Sequence, residues 1–113
     1  QNIMRNAKQE LQEILKDKAK IKCAIIYNGD YWGGEDERPE FRLPLNYTDA
    51  DLVNYYNSLD FEYDSGFGGQ ELFGTVWLED GTWLSRGEYD GSEWWEHNVL
   101  PAIPTDLLGA VAG

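Results

Sequence analysis

Between Leu72 and Asn98 the chain carries two Asp-Gly pairs, Asp80-Gly81 and Asp90-Gly91, set among three runs of Val, Trp, Leu, Thr and Tyr. Both central residues of a type I′ turn need φ > 0, and Asp-Gly meets that need at low cost. The spacing therefore predicts a three-stranded β-meander over residues 72–98. If both pairs form two-residue loops, Trp77 lies opposite Leu84, Leu78 opposite Trp83 and Thr75 opposite Arg86. In the second hairpin Leu84 lies opposite His97, Arg86 opposite Trp95, Gly87 opposite Trp94 and Glu88 opposite Glu93. One face then holds Phe73, Trp77, Leu84, Arg86, Trp95 and His97. The other holds Leu72, Val76, Leu78, Trp83, Tyr89 and Trp94. A half-buried antiparallel sheet shows one apolar and one polar face. Two aromatic faces ask either for cover on both sides or for one face kept for a partner.

The 113 residues suffice for one domain with its own core, and 14% aromatics with five Trp argue against disorder. The single cysteine, Cys23, permits no intrachain disulfide and sits in the apolar run Cys23-Ala24-Ile25-Ile26-Tyr27, where a buried, inert thiol is expected. No apolar run approaches the ~18 residues of a membrane span, and no signal-peptide pattern opens the chain. The expectation is a cytoplasmic protein.

Charge narrows the function classes. Twenty-one acids against nine bases give −12. Residues 1–22 carry +3, and residues 23–113 carry −15. Direct binding to a phosphate backbone needs clustered Lys and Arg, so nucleic acid is not the expected ligand. Such acidity steers association toward basic surfaces, among them the nucleic-acid grooves of other proteins.

Residues 1–19 are predicted as an N-terminal amphipathic helix, with Ala7, Leu11 and Ile14 on its apolar stripe and lysines at its C-terminal end. Lys20 to Tyr27 suits a central strand. Asn28 to Glu37 is a Gly-rich acidic loop holding Tyr31 and Trp32 among Asp30, Glu35, Asp36 and Glu37; it reads either as a recognition loop or as a plug for one end of the core. Pro39 and Pro44 bracket an edge strand. Thr48 with Asp51 forms a capping-box pattern that opens a helix running to Ser58, with Leu52, Val53, Tyr56 and Leu59 expected inward and Tyr55 outward. Leu59 to Asp64 alternates, giving a strand whose solvated side carries Asp60, Glu62 and Asp64. Pro101 and Pro104 end the sheet, and residues 105–113 form a short tail. The whole reads as a single α+β domain spanning 1–113, its N-terminal and internal helices packed on a mainly antiparallel sheet that ends in the meander.

Catalytic machinery is sparse. One Cys and one His leave no zinc site and no supported triad, and no dinucleotide, phosphate-loop or EF-hand spacing occurs. No cofactor and no enzymatic activity are expected. Glu88 opposite Glu93, beside Trp94 and Trp95, is the exception: two carboxylates with an aromatic platform suit a carbohydrate-binding or hydrolytic site, or a divalent cation.

The run Val76-Trp77-Leu78-Glu79-Asp80-Gly81-Thr82-Trp83-Leu84, followed by Glu88-Tyr89-Asp90-Gly91-Ser92-Glu93-Trp94-Trp95-Glu96, resembles the C-terminal part of small bacteriophage proteins. In its shortness and acidity the chain is also similar to phage inhibitors of host defence, some of which mimic DNA. That resemblance implies an anti-defence or anti-CRISPR inhibitor whose partner is a host protein with a basic nucleic-acid-binding surface. The residues expected to carry such binding are Asp30, Glu35, Asp36, Glu37, Asp60, Glu62 and Asp64 for charge, with Tyr31 and Trp32 as anchors.

Overall fold

A computed structural model describes residues 4–28, 39–64, 71–89 and 92–101. Among them lie β1 (Met4–Asn6), α1 (Ala7–Leu15), β2 (Ile21–Asn28), β3 (Glu40–Leu43), α2 (Asp49–Ser58), β4 (Glu62–Asp64), β5 (Leu72–Leu78), β6 (Trp83–Tyr89) and β7 (Ser92–Asn98). Five strands form an antiparallel sheet in the order β3-β2-β5-β6-β7, and β1 pairs with β4 in a second, two-stranded sheet. This is the expected α+β architecture, with β5-β6-β7 as the meander.

The N-terminal helix is shorter than the apolar stripe suggests. Asn6 stays extended and its side chain accepts from Gln9 N at 3.0 Å, which caps α1. Residues before it form a strand because β4 offers a partner: Arg5 lies opposite Tyr63, and Ala7 N donates to Phe61 O at 2.9 Å. The second helix is capped as expected. Thr48 Oγ1 accepts from Asp51 N at 3.1 Å, and Asp51 Oδ2 accepts from Thr48 N at 3.0 Å. Its buried face is rotated from the expected one. Tyr55 and Leu59 are buried, whereas Val53 is exposed. Leu52, Tyr55, Tyr56 and Leu59 make the i, i+3, i+4, i+7 set that faces the sheet, and the Tyr55 hydroxyl donates to Phe41 O at 3.0 Å.

Both helices cover one face of the five-stranded sheet, called here the inner face. Leu11 of α1 and Leu59 at the end of α2 close over Ile26, Leu43, Leu72, Val76, Leu78 and Leu84, all nearly inaccessible to solvent. Burying such aliphatic side chains contributes ~1.5–3 kcal/mol each before chain entropy is counted. Gly74 sits at φ +145°, where a Cβ would lie 2.3 Å from Ile25 O. Only glycine lets β5 approach β2 this closely.

One register differs from expectation. Trp77 pairs with Trp83, Val76 with Leu84 and Thr75 with Ser85, one residue away from the two-residue-loop alignment. Gly81 N donates to Leu78 O at 3.2 Å and Leu78 N donates to Thr82 O at 2.9 Å. Within this loop Gly81 alone takes positive φ, at +88°. This is a three-residue loop ending in a glycine bulge, the alternative use of Asp-Gly. A slip of one residue exchanges the faces of a strand. Leu72, Val76 and Leu78 therefore join Leu84, Arg86 and Trp95 inside, while Phe73 and Trp77 join Trp83, Tyr89 and Trp94 outside. The second hairpin keeps the expected register, with Arg86 opposite Trp95 and Glu88 opposite Glu93. Among the described residues no helix is long and apolar enough to cross a membrane.

Candidate functional site

Strands β6 and β7 carry two chemically distinct constellations, one on each face. On the inner face Arg86 is all but sealed, with 2% of its side chain exposed. Its Nη2 donates to Glu93 Oε1 at 2.8 Å and to the Tyr63 hydroxyl at 2.9 Å, and its Nε donates to Leu72 O at 3.3 Å. Nη1 reaches Glu10 Oε1 at 3.5 Å. The guanidinium also stacks over Trp95 at 4.8 Å and Tyr63 at 5.6 Å from the ring centroids. Glu93 has no exposed side-chain surface, and its two oxygens accept from Glu71 N at 2.8 Å and Leu72 N at 3.0 Å. The Tyr63 hydroxyl donates in turn to Glu10. Burial pushes the Tyr63 hydroxyl well above its ordinary pKa.

Each charge here has a partner, so the cluster ties together α1, β4, β5, β6 and β7. One donor is unmet: the buried indole N–H of Trp95 has no hydrogen-bond partner among the described residues.

The outer face is built differently. Tyr27 lies opposite Phe73, and Trp77 lies between Cys23 and Trp83. Trp94 lies opposite Gly87, where a Cβ would meet its Nε1 at 2.5 Å and the Glu96 Cδ at 3.0 Å. The missing side chain of Gly87 thus gives Trp94 and Glu96 room to lie against the backbone of β6. Trp77 is 42% exposed and Trp94 is 37% exposed. No described helix or strand covers this face. A cleft of about 400 Å³ at its β3 side is lined by Cys23, Ile25, Arg42, Pro44, Leu45 and Trp77. Cys23 is therefore half-buried on the outer face rather than sealed in the core.

The expected site residues are distributed as follows. Asp30, Tyr31, Trp32, Glu35, Asp36 and Glu37 lie outside the described residues. Asp60 and Glu62 are exposed; Asp60 precedes β4 and its Oδ1 accepts from Asn6 Nδ2 at 2.8 Å. The backbone of Asp64 pairs with Met4, and its side chain lies outside the described part.

Glu88 and Glu93 lie opposite each other on the face that also holds Trp95, but Trp94 does not join them. Trp94 and Trp95 project to opposite faces, and Arg86 neutralises Glu93. Among the described residues no group of three or more His, Cys, Asp or Glu side chains is placed to hold a metal ion. His97 is exposed at the end of β7, its Nε2 2.9 Å from Thr82 Oγ1. Sequence reasoning missed Trp77 and Trp83 as outer-face neighbours; the signal was present in the Asp80-Gly81 loop, whose second reading would have joined them.

No protein-family model, curated protein or solved structure matches this chain.

Proposed function

We propose that the chain is a non-enzymatic, acidic protein-binding module that docks through the outer face of its sheet onto a partner with a basic, nucleic-acid-binding surface. The observation that carries this reading is the pair of half-exposed indoles, Trp77 and Trp94, standing with Trp83 on a sheet face that no described helix or strand covers. Trp and Tyr dominate the energetics of protein interfaces because each buries a large, rigid area at small entropic cost. A soluble domain has little other reason to hold several aromatics at a face whose opposite side already supplies the core.

Charge supplies the direction. A net charge of −12 repels phosphate backbones and steers diffusional encounter toward positive surfaces. The buried carboxylates of Glu93 and Glu10 are compensated by Arg86, so the steering field comes from exposed acids. Occupying a basic groove would block nucleic acid from entering it. The resemblance to phage inhibitors favours a host defence complex as the target, on composition alone.

The test is retention of a basic nucleic-acid-binding protein on the tagged chain, compared across salt and between variants. The expected result is elution as ionic strength rises, loss of retention in Trp77→Ala, and loss in the triple change of Glu35, Asp36 and Glu37 to Lys. Retention indifferent to salt and to all of these changes would end the reading.

A further inference from the structure

The two edges of the five-stranded sheet are not alike. Strand β3 has four residues, is bracketed by Pro39 and Pro44, and carries an Arg42–Glu40 ion pair at 2.5 Å. Short length, proline and charge are the devices that keep an edge from pairing. Strand β7 has seven residues and no proline.

Its phase follows from the first hairpin. The Leu78 N to Thr82 O bond turns Leu78 toward β6. Alternation along the antiparallel ladders then turns Val76 and Leu84 toward each other, and Ser85 toward Glu96. Ser92, Trp94, Glu96 and Asn98 therefore direct their main-chain groups at β6. Glu93, Trp95 and His97 direct theirs outward, where no described strand pairs with them.

The same strand sets an indole and a carboxylate side by side. Trp94 and Glu96 are two residues apart on the outer face, and both rest over the bare backbone of Gly87. The Glu96 carboxylate has no partner among the described residues. An indole face beside a free carboxylate suits a Lys or Arg side chain, through cation–π attraction and ion pairing together. Residues 23–113 carry −15, which disfavours a second copy of this chain as the occupant.

We propose that β7 receives an extended, basic segment of the partner by strand addition. Main-chain bonds would form to Glu93, Trp95 and His97, and a Lys or Arg on the outer side would seat between Trp94 and Glu96. The proposal rests on the protein-binding reading and specifies its mode. Backbone pairing would give affinity, and alternate side chains would give the preference for positive charge.

The experiment uses the full chain and a short synthetic peptide alternating lysine with threonine, followed by titration and amide NMR. Saturable binding is expected, with shifts at the amides of Glu93, Trp95 and His97 and at the Trp94 indole. Methylating the peptide nitrogens at every second residue should abolish it, and Glu96→Lys should weaken it about tenfold or more. His97→Pro removes an outward N–H without touching the β6 ladder and should weaken it similarly. If that variant fails to fold, the methylated peptide tests the same bond from the other side.

Binding unaffected by methylation, with shifts confined to Trp77 and Trp83, would overturn strand addition while leaving the protein-binding reading in place. Absence of binding would overturn strand addition too, and the Trp77→Ala retention test would decide the broader reading separately.

Discussion

Arg86 and Gly87 are neighbours in β6, as Trp95 and Trp94 are in β7, yet the two cross-strand pairs they form do opposite work. The Arg86–Trp95 pair lies under the helices, in a cluster where every charge is matched by hydrogen bonds. The Gly87–Trp94 pair lies on the face that no described helix or strand covers, where an indole rests on backbone and remains partly exposed. Because side chains alternate along a strand, one residue of separation places one group in a low dielectric and the other in water. Stability and the proposed recognition then fall on different faces of the same two strands, and substitutions should separate them.

The largest expected effect comes from the inner side. Arg86→Met leaves the carboxylates of Glu93 and Glu10 buried without their cation, a loss on the order of 3–5 kcal/mol in urea unfolding. Changing Glu93 to Gln as well should recover part of the loss, because the amide oxygen still accepts from Glu71 N or Leu72 N while the uncompensated charge disappears. Equal losses in the single and double variants would show that charge pairing is not what the cluster contributes. Next is Gly74→Ala, where positive φ and the approach to Ile25 O cost at least ~1–3 kcal/mol. A neutral outcome there would place β5 further from β2 than the pairing implies.

The outer face should respond in the opposite sense. Trp77→Ala removes a half-exposed side chain, so unfolding stability should change by less than ~1 kcal/mol. Partner binding should weaken by about 2 kcal/mol if Trp77 is an anchor. A loss of stability without a loss of binding would erase the distinction between the faces.

How much of this was legible in the sequence varied between two identical dipeptides. Asp90-Gly91 lies between Tyr89 and Ser92, which pair as a two-residue loop requires, and the register of β6 on β7 follows from it. Asp80-Gly81 closes a longer loop. Asp80 Oδ1 accepts from Thr82 N at 3.0 Å and from Thr82 Oγ1 at 2.6 Å, and only Gly81 needs positive φ. Asp-Gly satisfies both geometries, so local sequence does not choose between them. The burial of Leu72, Val76 and Leu78 beside Leu84 chooses, and that is a tertiary effect.

The Arg86 pairing was half legible for the same reason. Its stacking on Trp95 follows from the second hairpin, but Glu10 and Tyr63 are distant in sequence and meet it only in the fold. The aromatic character of both meander faces was readable, whereas the membership of each face was not.

The smallest effects are pH limits, and they too fall on different sides of the comparison. Burial holds the hydroxyls of Tyr55 and Tyr63 above their ordinary pKa. A raised folded pKa means that their contribution is intact below about pH 10 and is lost as pH rises beyond it. Thermal unfolding should therefore shift downward in alkali, and Tyr63→Phe should flatten that limb while leaving Trp94 fluorescence unchanged. Asp80 works with the other sign. Hydrogen bonds from Thr82 hold its carboxyl below the usual range, so its contribution is present above about pH 4 and fades as pH falls through the lowered value. The group is fully exposed, and the effect should be slight. Asp80→Ala should flatten only the acid limb, and because the bond it removes closes the loop that sets the β5–β6 register, any change in Trp77 exposure would show that Asp80 helps keep the two faces apart.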